Sequence, residues 1–266
     1  MPNNRQFDNL GDFVSAIAGV AMTKAFANLD NLDIDLKKVG PFSANFGEKM
    51  RVECDSGVTL EQLDLDDADI RHIAILGPDD VTITKGDDPA ILVEGDEDVA
   101  DAIRFKVEDG RLAVMRLGGK RQHGTATVQI TLPKLRKISL AGSGSVMCDA
   151  ITGGKAKIAV AGSGNVTCGT IEADQLKVQM LGSGSISTKG TVKNLSLKIA
   201  GSGNASLDGL SAESVHVSMA GSGNASFASD GEVSAKMAGS GNVTVKGRAR
   251  CTVKGMGSGR LVCEPA

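Results

Sequence analysis

Apolar and polar residues alternate along the second half of this chain, and the tripeptide Gly-Ser-Gly interrupts the alternation at nearly even intervals. The tripeptide occurs seven times, and successive copies begin 18 to 20 residues apart. Its first glycines are Gly142, Gly162, Gly182, Gly201, Gly221, Gly239 and Gly257. A fixed period of this length over half of a chain is typical of repeat proteins, in which each repeat forms one structural unit.

Two short alternating segments flank each tripeptide when the repeats are aligned on the first glycine. Four positions before it stand Ile138, Ile158, Val178, Leu197, Val217, Ala235 and Val253. Four positions after it stand Val146, Val166, Ile186, Ala205, Ala225, Val243 and Leu261. Most neighbouring positions are polar, which is the period-two pattern of a strand with one buried face. Each repeat therefore predicts a strand, a corner, a second strand and a return loop, and stacked copies bury the apolar faces together.

The glycines suit a sharp corner, because glycine reaches positive φ without a Cβ clash. A corner that recurs on every coil also places backbone against backbone. Asparagine or serine follows the second glycine in most repeats, and these side chains are expected to form a ladder along the stack. The ladder residues are Ser145, Asn165, Ser185, Asn204, Asn224 and Asn242. The repeats thus predict an all-β parallel β-solenoid, or β-helix, with Gly-Ser-Gly corners.

Three regions are predicted along the chain: an N-terminal helical extension over 1–40, an irregular β region over 41–133 that leads into the stack, and the regular solenoid over 134–266. Apolar residues at helical spacing in 10–21 favour a short amphipathic helix, with an export signal or a membrane-surface helix as alternatives. The segment VEDGRL in the middle region carries Asp-Gly, a hairpin signal. A capping role for this region would protect unpaired strand edges.

Charge is distributed unevenly along the chain. Residues 54–110 hold seventeen acidic and four basic side chains, whereas residues 134–266 hold eight acidic and fifteen basic ones. Five of these lysines fall on one outward face and form what we call the basic stripe: Lys157, Lys177, Lys198, Lys236 and Lys254. The stripe is either an ordinary solvated face or a contact for an anionic partner, such as lipid headgroups, an acidic glycan or the acidic front of another copy. Aromatic residues are 3% of the chain, so nucleic acid is not expected to bind.

Candidate chemistry is sparse. The five cysteines have irregular spacing, which does not suggest a disulfide framework or a zinc site. Cys148 and Cys168 share one column on adjacent coils and are either packed thiols or a disulfide. The histidines His72, His123 and His216 lack ligand spacing, and no carboxylate ladder for calcium or carboxylate pair for glycoside cleavage occurs in the repeats. We therefore assign no catalytic, cofactor-binding or metal-binding residues and expect no cofactor.

With GPDDVTITKG, VEGDEDVADAIRFKVEDGRLAV and ITLPKLRKISLAGSGSV taken together, residues 71–266 resemble the bacterial head GIN domain adhesins, also called autotransporter adhesin heads. The resemblance implies a right-handed parallel β-helix and an adhesive or scaffolding role at the cell envelope. It supplies no catalytic residues.

These observations favour a non-enzymatic envelope scaffold or adhesin that binds through solenoid faces. Alternatives are a scaffold in a membrane or envelope-stress system and, less favoured, a carbohydrate-active β-helix enzyme. The partner is expected to be a protein, a glycan or an anionic membrane surface, with a homo-oligomer as another candidate. The location is expected to be periplasm or cell surface, with cytoplasm as the alternative because the sequence lacks a clear signal peptide.

Overall fold

A computed structural model describes residues 57–65, 68–116 and 124–265 of the protein. The chain divides into two compact units, Met1–Asp55 and Ser56–Ala266, and the described residues belong to the second unit. The N-terminal helix predicted within 1–40 lies outside the described residues.

The described residues are almost entirely β-structure. They include a 3-10 turn at Leu60–Gln62 and a four-residue helix α1 at Glu97–Ala100. The strands before the repeats are β1 (His72–Gly77), β2 (Asp80–Lys85), β3 (Ala90–Glu94), β4 (Ile103–Glu108), β5 (Arg111–Arg116) and β6 (Thr127–Leu132). The strands of the repeats are β7 (Lys137–Gly142), β8 (Ser145–Gly162), β9 (Asn165–Gly182), β10 (Ser185–Gly201), β11 (Asn204–Gly221), β12 (Asn224–Gly239), β13 (Asn242–Lys246), β14 (Arg250–Met256) and β15 (Arg260–Glu264).

The predicted β-solenoid is confirmed by the strand register. Neighbouring strands from β7 to β12 pair in parallel, and the first glycine of each corner pairs with the first glycine of the next, from Gly142 to Gly239. Each strand from β8 to β12 runs from one corner to the next. The return segment is therefore β-structure and not the predicted loop, with register shifts such as the one between Ser187 and Lys189 on β10. Adjacent coils supply backbone partners there even though the side-chain alternation lapses.

The corners behave as the glycine pattern predicts. The first glycines adopt positive φ, for example 124° at Gly162, and the Ser163 backbone N–H donates to the carbonyl oxygen of Gly142 at 3.1 Å. The predicted ladder is confirmed where Asn224 donates to Asn204 at 3.0 Å and Ser185 donates to Asn165 at 2.6 Å. Successive coils are thus joined at the corners by backbone and side-chain hydrogen bonds.

An eighth corner precedes the repeats. Strand β1 pairs with β7 so that Gly77 lies in register with Gly142, and Pro78 and Asp79 stand where later corners have serine and glycine. Asp79 is 2% exposed. Its carboxylate accepts a hydrogen bond from Arg116 Nε at 3.0 Å and another from the Ala126 backbone N–H at 2.9 Å. A buried ion pair thus completes this corner.

Antiparallel strands lie at this end of the stack. Strands β5 and β6 pair in parallel with β1 and β2, and beyond them β4 pairs with β5 and β3 pairs with β6, both antiparallel. The predicted hairpin is confirmed at the β4–β5 turn, where Asp109 and Gly110 have φ of 50° and 68°. Antiparallel pairing here covers the parallel edges of β5 and β6.

The core runs along the inside of the stack. The inward positions of successive coils are buried Ile, Val, Leu, Ala and Met, and two buried aromatic residues, Phe105 and Phe227, join them. Full burial of one such aliphatic side chain stabilises the fold by about 1.5–3 kcal/mol. Because every coil contributes several buried aliphatic side chains, one continuous hydrophobic core stabilises the whole stack.

Candidate binding surface

The basic stripe lies on the arm of each coil that precedes the corner. Lys157 and Lys177 pair directly across β8 and β9. Lys198 and Lys236 are each two residues closer to the corner glycine of their own coil than Lys157 and Lys177 are to theirs. Lys236 pairs with Lys254 across β12 and β14. The stripe therefore consists of two parallel columns on one outward face.

One end of the stripe is not a solvated face, contrary to one of the two interpretations of the sequence. Lys157 is only 6% exposed, and its outward neighbours Ser139, Ala159 and Gln179 are buried as well. Lys198 is half-buried, whereas Lys236 and Lys254 are exposed. Period-two alternation cannot reveal this, since it distinguishes inward from outward positions and not covered from open surface. The accessible part of the stripe is therefore its Lys236–Lys254 end.

The arm that follows the corner presents a different face. Its first outward column carries the asparagine and serine ladder, and the next column carries Thr167, Ser187, Ser206, Ser226 and Thr244. Apart from its ends, this face is uncharged and rich in hydroxyl and amide groups. Charge on the repeats is therefore concentrated on the lysine arm and on the return segments.

A cleft of about 610 Å³ opens where β1, β5 and β7 begin. Arg111, His72 and Lys137 stand side by side on these three strands, and Arg71 and Arg136 precede two of them. These five residues and Asp69, Glu108, Asp109 and Gly110 line the cleft. The repeat pattern of the sequence predicts binding through broad faces and does not reveal this cleft. Alignment of IRHIAILG with LRKISLAG would place Arg71 beside Arg136 and His72 beside Lys137.

Hydrogen bonds fix several of the cleft side chains. Arg111 Nε donates to His72 Nδ1 at 3.2 Å, and His72 Nε2 lies 3.0 Å from the Ser139 hydroxyl oxygen. An acceptor at Nδ1 implies a neutral imidazole with its proton on Nε2, which can donate to Ser139. His72 is therefore a positioning group for the Arg111 guanidinium, in line with the structural role that is the default for an isolated histidine.

The carboxylates at the rim are already engaged by basic neighbours. Arg71 Nε donates to Asp69 at 2.7 Å, and this hydrogen bond holds the pKa of the Asp69 carboxyl below its usual value. Lys106 contacts Glu108 at 2.9 Å and likewise lowers the pKa of that carboxyl. Both acids therefore stay ionised and paired at neutral pH.

The cysteines form two pairs with different states. Cys148 and Cys168 are in register on β8 and β9 and are free, buried thiols with sulfur atoms 2.6 Å apart. The contact with Cys168, followed by burial, raises the pKa of the Cys148 thiol, so it stays protonated at neutral pH. The two sulfur atoms are not bonded in the structure, as in the packed-thiol interpretation of the sequence.

Cys251 and Cys263 form a disulfide that the spacing of the cysteines does not predict. They stand on β14 and β15, the two arms of one coil, with Cα atoms 6.9 Å apart. The inference that irregular cysteine spacing does not suggest a disulfide framework therefore misses this pair. The two cysteines are 12 residues apart in the sequence, a spacing that matches no cysteine motif. The turn of the coil between β14 and β15 brings their side chains together.

The remaining sequence candidates are dispersed. His216 is exposed on the lysine arm, and His123 lies outside the described residues. Among the residues that the structure describes, no group of three or more His, Cys, Asp or Glu side chains is arranged to hold a metal ion. In the same part of the chain, no helix is long and apolar enough to cross a lipid bilayer.

An in-register stack of short coils, with charged and polar columns on its outside, defines a β-solenoid repeat protein. Residues 69–249 match the family model described as "Putative auto-transporter adhesin, head GIN domain". The chain belongs to this head GIN domain adhesin family, as the sequence resemblance implied. The family suggests a protein of the cell surface or envelope. Among curated proteins, no match to the sequence was found.

Solved structures share the fold. A "putative adhesin" from Bacteroides fragilis NCTC 9343 is 22% identical with a TM-score of 0.66, over 74% of this chain and 93% of that chain. A "Putative lipid binding protein" from Parabacteroides distasonis ATCC 8503 is 25% identical with a TM-score of 0.59, over 74% and 93%. A "putative adhesin" from Parabacteroides merdae ATCC 43184 is 20% identical with a TM-score of 0.56, over 73% and 92%.

Proposed function

We propose that this protein is a non-enzymatic adhesin-like scaffold of the cell envelope, in the periplasm or at the surface, that binds an anionic partner through its lysine arm. The observation that carries the proposal is the basic stripe itself, in particular its exposed end at Lys236 and Lys254. Paired strands lie about 4.8 Å apart, so a repeated column of like charges forms a line of positive potential along the stack.

Like charges directly opposite one another on neighbouring strands are destabilising. Lys236 pairs with Lys254, although serine stands at the same position in the preceding coil, at Ser218. A requirement of the fold alone would not favour lysine at these points. A partner that carries carboxylate or phosphate groups would gain from every lysine that it spans, and salt would weaken the contact.

Family membership supports the adhesin-like role, and the similar "Putative lipid binding protein" from Parabacteroides distasonis makes an anionic lipid surface one of the partners to test. An acidic glycan presents the same chemistry. Both are consistent with a rigid stack that offers a face and not an enclosed pocket.

The test compares the wild-type protein with a triple variant, Lys198→Glu, Lys236→Glu and Lys254→Glu, on immobilised polyuronate and on vesicles that contain phosphatidylglycerol. We expect the wild type to bind at low salt and to be released at high salt. The triple variant should lose most of this binding at low salt, because it reverses the charge of the accessible end of the stripe.

A charge-matched control carries Lys134→Glu, Lys155→Glu and Lys189→Glu, three exposed positions outside the stripe and distant from its accessible Lys236–Lys254 end. It has the same net charge as the test variant. If the control loses binding as completely as the stripe variant, attraction depends on net charge and the proposed surface is wrong. If the wild type binds neither matrix, the anionic-partner proposal fails, whereas the family assignment is unaffected.

A further inference from the structure

Each end of the stack has one open strand edge on the arm that follows the corners. At the antiparallel end, β3 pairs with β6, and among the described residues no strand pairs with its other edge. At the last coil, β15 pairs with β13, and its other edge is also unpaired within the described part of the chain. Open edges present backbone N–H and C=O groups that a strand of another molecule can pair with.

The arm that precedes the corners is different at the antiparallel end. Val58 lies beside β4 and exchanges two backbone hydrogen bonds of 2.8 Å with Phe105. This contact occupies the outer edge of β4 near its centre. A strand can therefore be added to this end on β3, whereas Val58 obstructs addition on β4.

Large apolar side chains are exposed chiefly at the same two ends. Within the described residues, Leu92 on β3 is 51% exposed and Val262 on β15 is 41% exposed. Val253 and Met256 on β14 are exposed as well, and Met147 is the fifth residue of this kind. Exposed apolar groups that gather at particular places mark contact surfaces in soluble proteins.

The two ends carry opposite charge. Residues 87–101 around β3 contain seven acidic side chains and no basic one, and one of the seven, Asp98, is already engaged within the chain. Residues 246–263 around β15 contain five basic side chains and no acidic one. Two of the five form ion pairs with carboxylates of preceding coils, and the other three are exposed. The exposed three are Arg250, Lys254 and Arg260. Opposite charges favour contact between unlike ends, whereas like charges oppose contact between equal ends.

We propose that this protein assembles head to tail, with β15 of one copy paired to β3 of the next copy. Strand β3 runs antiparallel to the other strands of its arm, so a copy stacked along the solenoid axis presents it antiparallel to β15. Both strands have five residues, Ala90–Glu94 and Arg260–Glu264. Matching them over their full length defines one register.

The outward side chains are complementary in this register. Glu94 stands opposite Arg260, and Leu92 stands opposite Val262, which gives one ion pair and one apolar pair across the junction. Such cross-strand pairs stabilise antiparallel sheets. A shift of two residues in either direction would instead place Leu92 opposite Arg260 or Glu264. The full-length register is therefore the favoured one.

The inward side chains also match. Val93 stands opposite Leu261 and Ile91 stands opposite Cys263 in the same register. Val93, Ile91 and Leu261 are partly buried and pack against the core of their own copy. Pairing would cover what remains exposed of these residues and extend the core from one copy into the next.

The proposed contact joins two different surfaces of the same molecule. A contact of this kind leaves a free β3 at one end and a free β15 at the other, so it repeats. The products are open chains, or a ring if the angle between successive copies closes. Val58 adds a layer on one arm only, so successive copies should meet at an angle.

Charge exchange between Glu94 and Arg260 tests the register. Glu94 accepts a hydrogen bond from the neutral Gln129 amide at 3.0 Å and keeps its charge, and Arg260 is exposed. Sedimentation velocity of the full chain over a range of concentrations measures assembly. We expect the mean mass of the wild type to rise with concentration, and to rise less at high salt because screening weakens the attraction.

Glu94→Arg and Arg260→Glu each place like charges opposite one another, so each single variant should need about tenfold or more higher concentration to reach the same mean mass. The double variant, Glu94→Arg with Arg260→Glu, restores opposite charges and should assemble like the wild type. The matched control, Glu172→Arg with Lys189→Glu, makes the same exchange at two exposed positions in the middle of the stack and should assemble normally. Circular dichroism checks that each variant remains folded.

Cysteine cross-linking tests the same contact without changing its charges. A mixture of Leu92→Cys and Val262→Cys copies should form a disulfide-linked dimer under mild oxidation, whereas neither variant should do so alone. Ala90→Cys mixed with Val262→Cys is displaced by two residues from the proposed register and should cross-link weakly. Electrophoresis without reductant separates the linked and unlinked chains.

Loss of assembly in both single variants, with recovery in the double variant, supports the proposal. A wild type that stays monomeric at every concentration and salt overturns it, as does assembly that neither single variant weakens. Equal cross-linking from Ala90→Cys and Leu92→Cys overturns the register. No anionic matrix or vesicle enters these measurements, so failure of self-assembly is distinguishable from failure of the anionic-partner proposal.

Discussion

A single added methyl group at a corner glycine would meet the backbone of the coil beneath it. A Cβ built on Gly164 lies 2.6 Å from the carbonyl oxygen of Gly144 and 2.6 Å from Leu140 Cδ2. We expect Gly164→Ala to lower the free energy of unfolding by about 1–3 kcal/mol, as overpacking in a close-packed interior does. Chemical denaturation measures this change.

The adjacent serine provides the control for that substitution. Ser163 is exposed and contributes its backbone N–H to the stack, which an alanine retains. Ser163→Ala should therefore change stability by no more than about 0.5 kcal/mol. Equal effects of the two substitutions would mean that the corner tolerates a side chain at Gly164, contrary to the close approach of the coils.

Asp79 is the residue on which the eighth corner depends. Its buried carboxylate binds Arg116 and the Ala126 N–H, and Arg116 also donates to the carbonyl oxygen of Gly124 at 3.0 Å. Removing one partner of a buried ion pair leaves the other uncompensated and costs about 3–5 kcal/mol. We expect Asp79→Asn to destabilise the protein severely, as measured by thermal unfolding.

A double-mutant cycle separates the ion pair from the corner geometry. Asp79→Asn and Arg116→Gln each break the pair, and the double variant leaves no unpaired charge. The double variant should therefore be more stable than the sum of the two single effects predicts. Strict additivity would mean that Asp79 acts through its backbone hydrogen bond and not through Arg116.

At the scale of elements, the disulfide between Cys251 and Cys263 holds the two arms of the last coil. Strands β14 and β15 pair with β12 and β13, and most of their side chains are exposed, including Val253 and Met256. Little burial stabilises this coil, so the cross-link matters more here than in the centre. A loop of about this length contributes about 3 kcal/mol in the chain-entropy estimate.

Reduction should therefore release the last coil without unfolding the stack. We expect amide hydrogen exchange in 250–264 to accelerate on addition of a reductant, while β8 to β10 keep their protection. Cys251→Ser with Cys263→Ser should reproduce the reduced pattern and should not respond to reductant. Uniform acceleration through all strands would contradict local release and indicate that the coil is needed for the whole fold.

The repeats were predictable because each inward column is marked several times, so that one irregular residue, such as Gly255, does not hide the pattern. The eighth corner was not predicted, because Pro78 and Asp79 replace the serine and the second glycine of the tripeptide. The buried ion pair of Asp79 joins it to Arg116, which is distant in the sequence. The return segments were misjudged as loops, since the pairing of β10 with β9 and β11 depends on neighbours and not on local alternation.

The two candidate binding surfaces also differ in whether the local sequence pattern or the pairing of distant strands creates them. The lysine columns follow from period and register, and the sequence identifies them. The basic cleft needs Arg111 beside His72 and Lys137, which requires that β5 return to pair with β1 on the side away from β7. Nothing in the order of the strands along the chain indicates that return, so the position of Arg111 in the cleft becomes visible only in three dimensions.

For the whole molecule, stability should depend on how many complete coils are stacked and on keeping them in register. Each coil contacts only its neighbours, so the free energy of unfolding is close to a sum over coils and their interfaces. Deleting residues 183–201 joins Gly182 to Ser202 and restores the sequence Gly-Ser-Gly-Asn at the junction. Strand β9 would then stack on β11 with matching inward residues, such as Val178 on Val217 and Met180 on Met219.

We expect this one-coil deletion to remain folded, with a β-type circular dichroism spectrum and one cooperative thermal transition at a lower midpoint than the wild type. The matched control deletes residues 183–191, about half a coil, and joins Gly182 to Val192. This junction removes a corner and places inward residues of one arm against the other arm, so it should abolish the cooperative transition. If the half-coil deletion were as stable as the full-coil deletion, register between corners would not organise the fold, and the solenoid would have to be held by its antiparallel end and its disulfide.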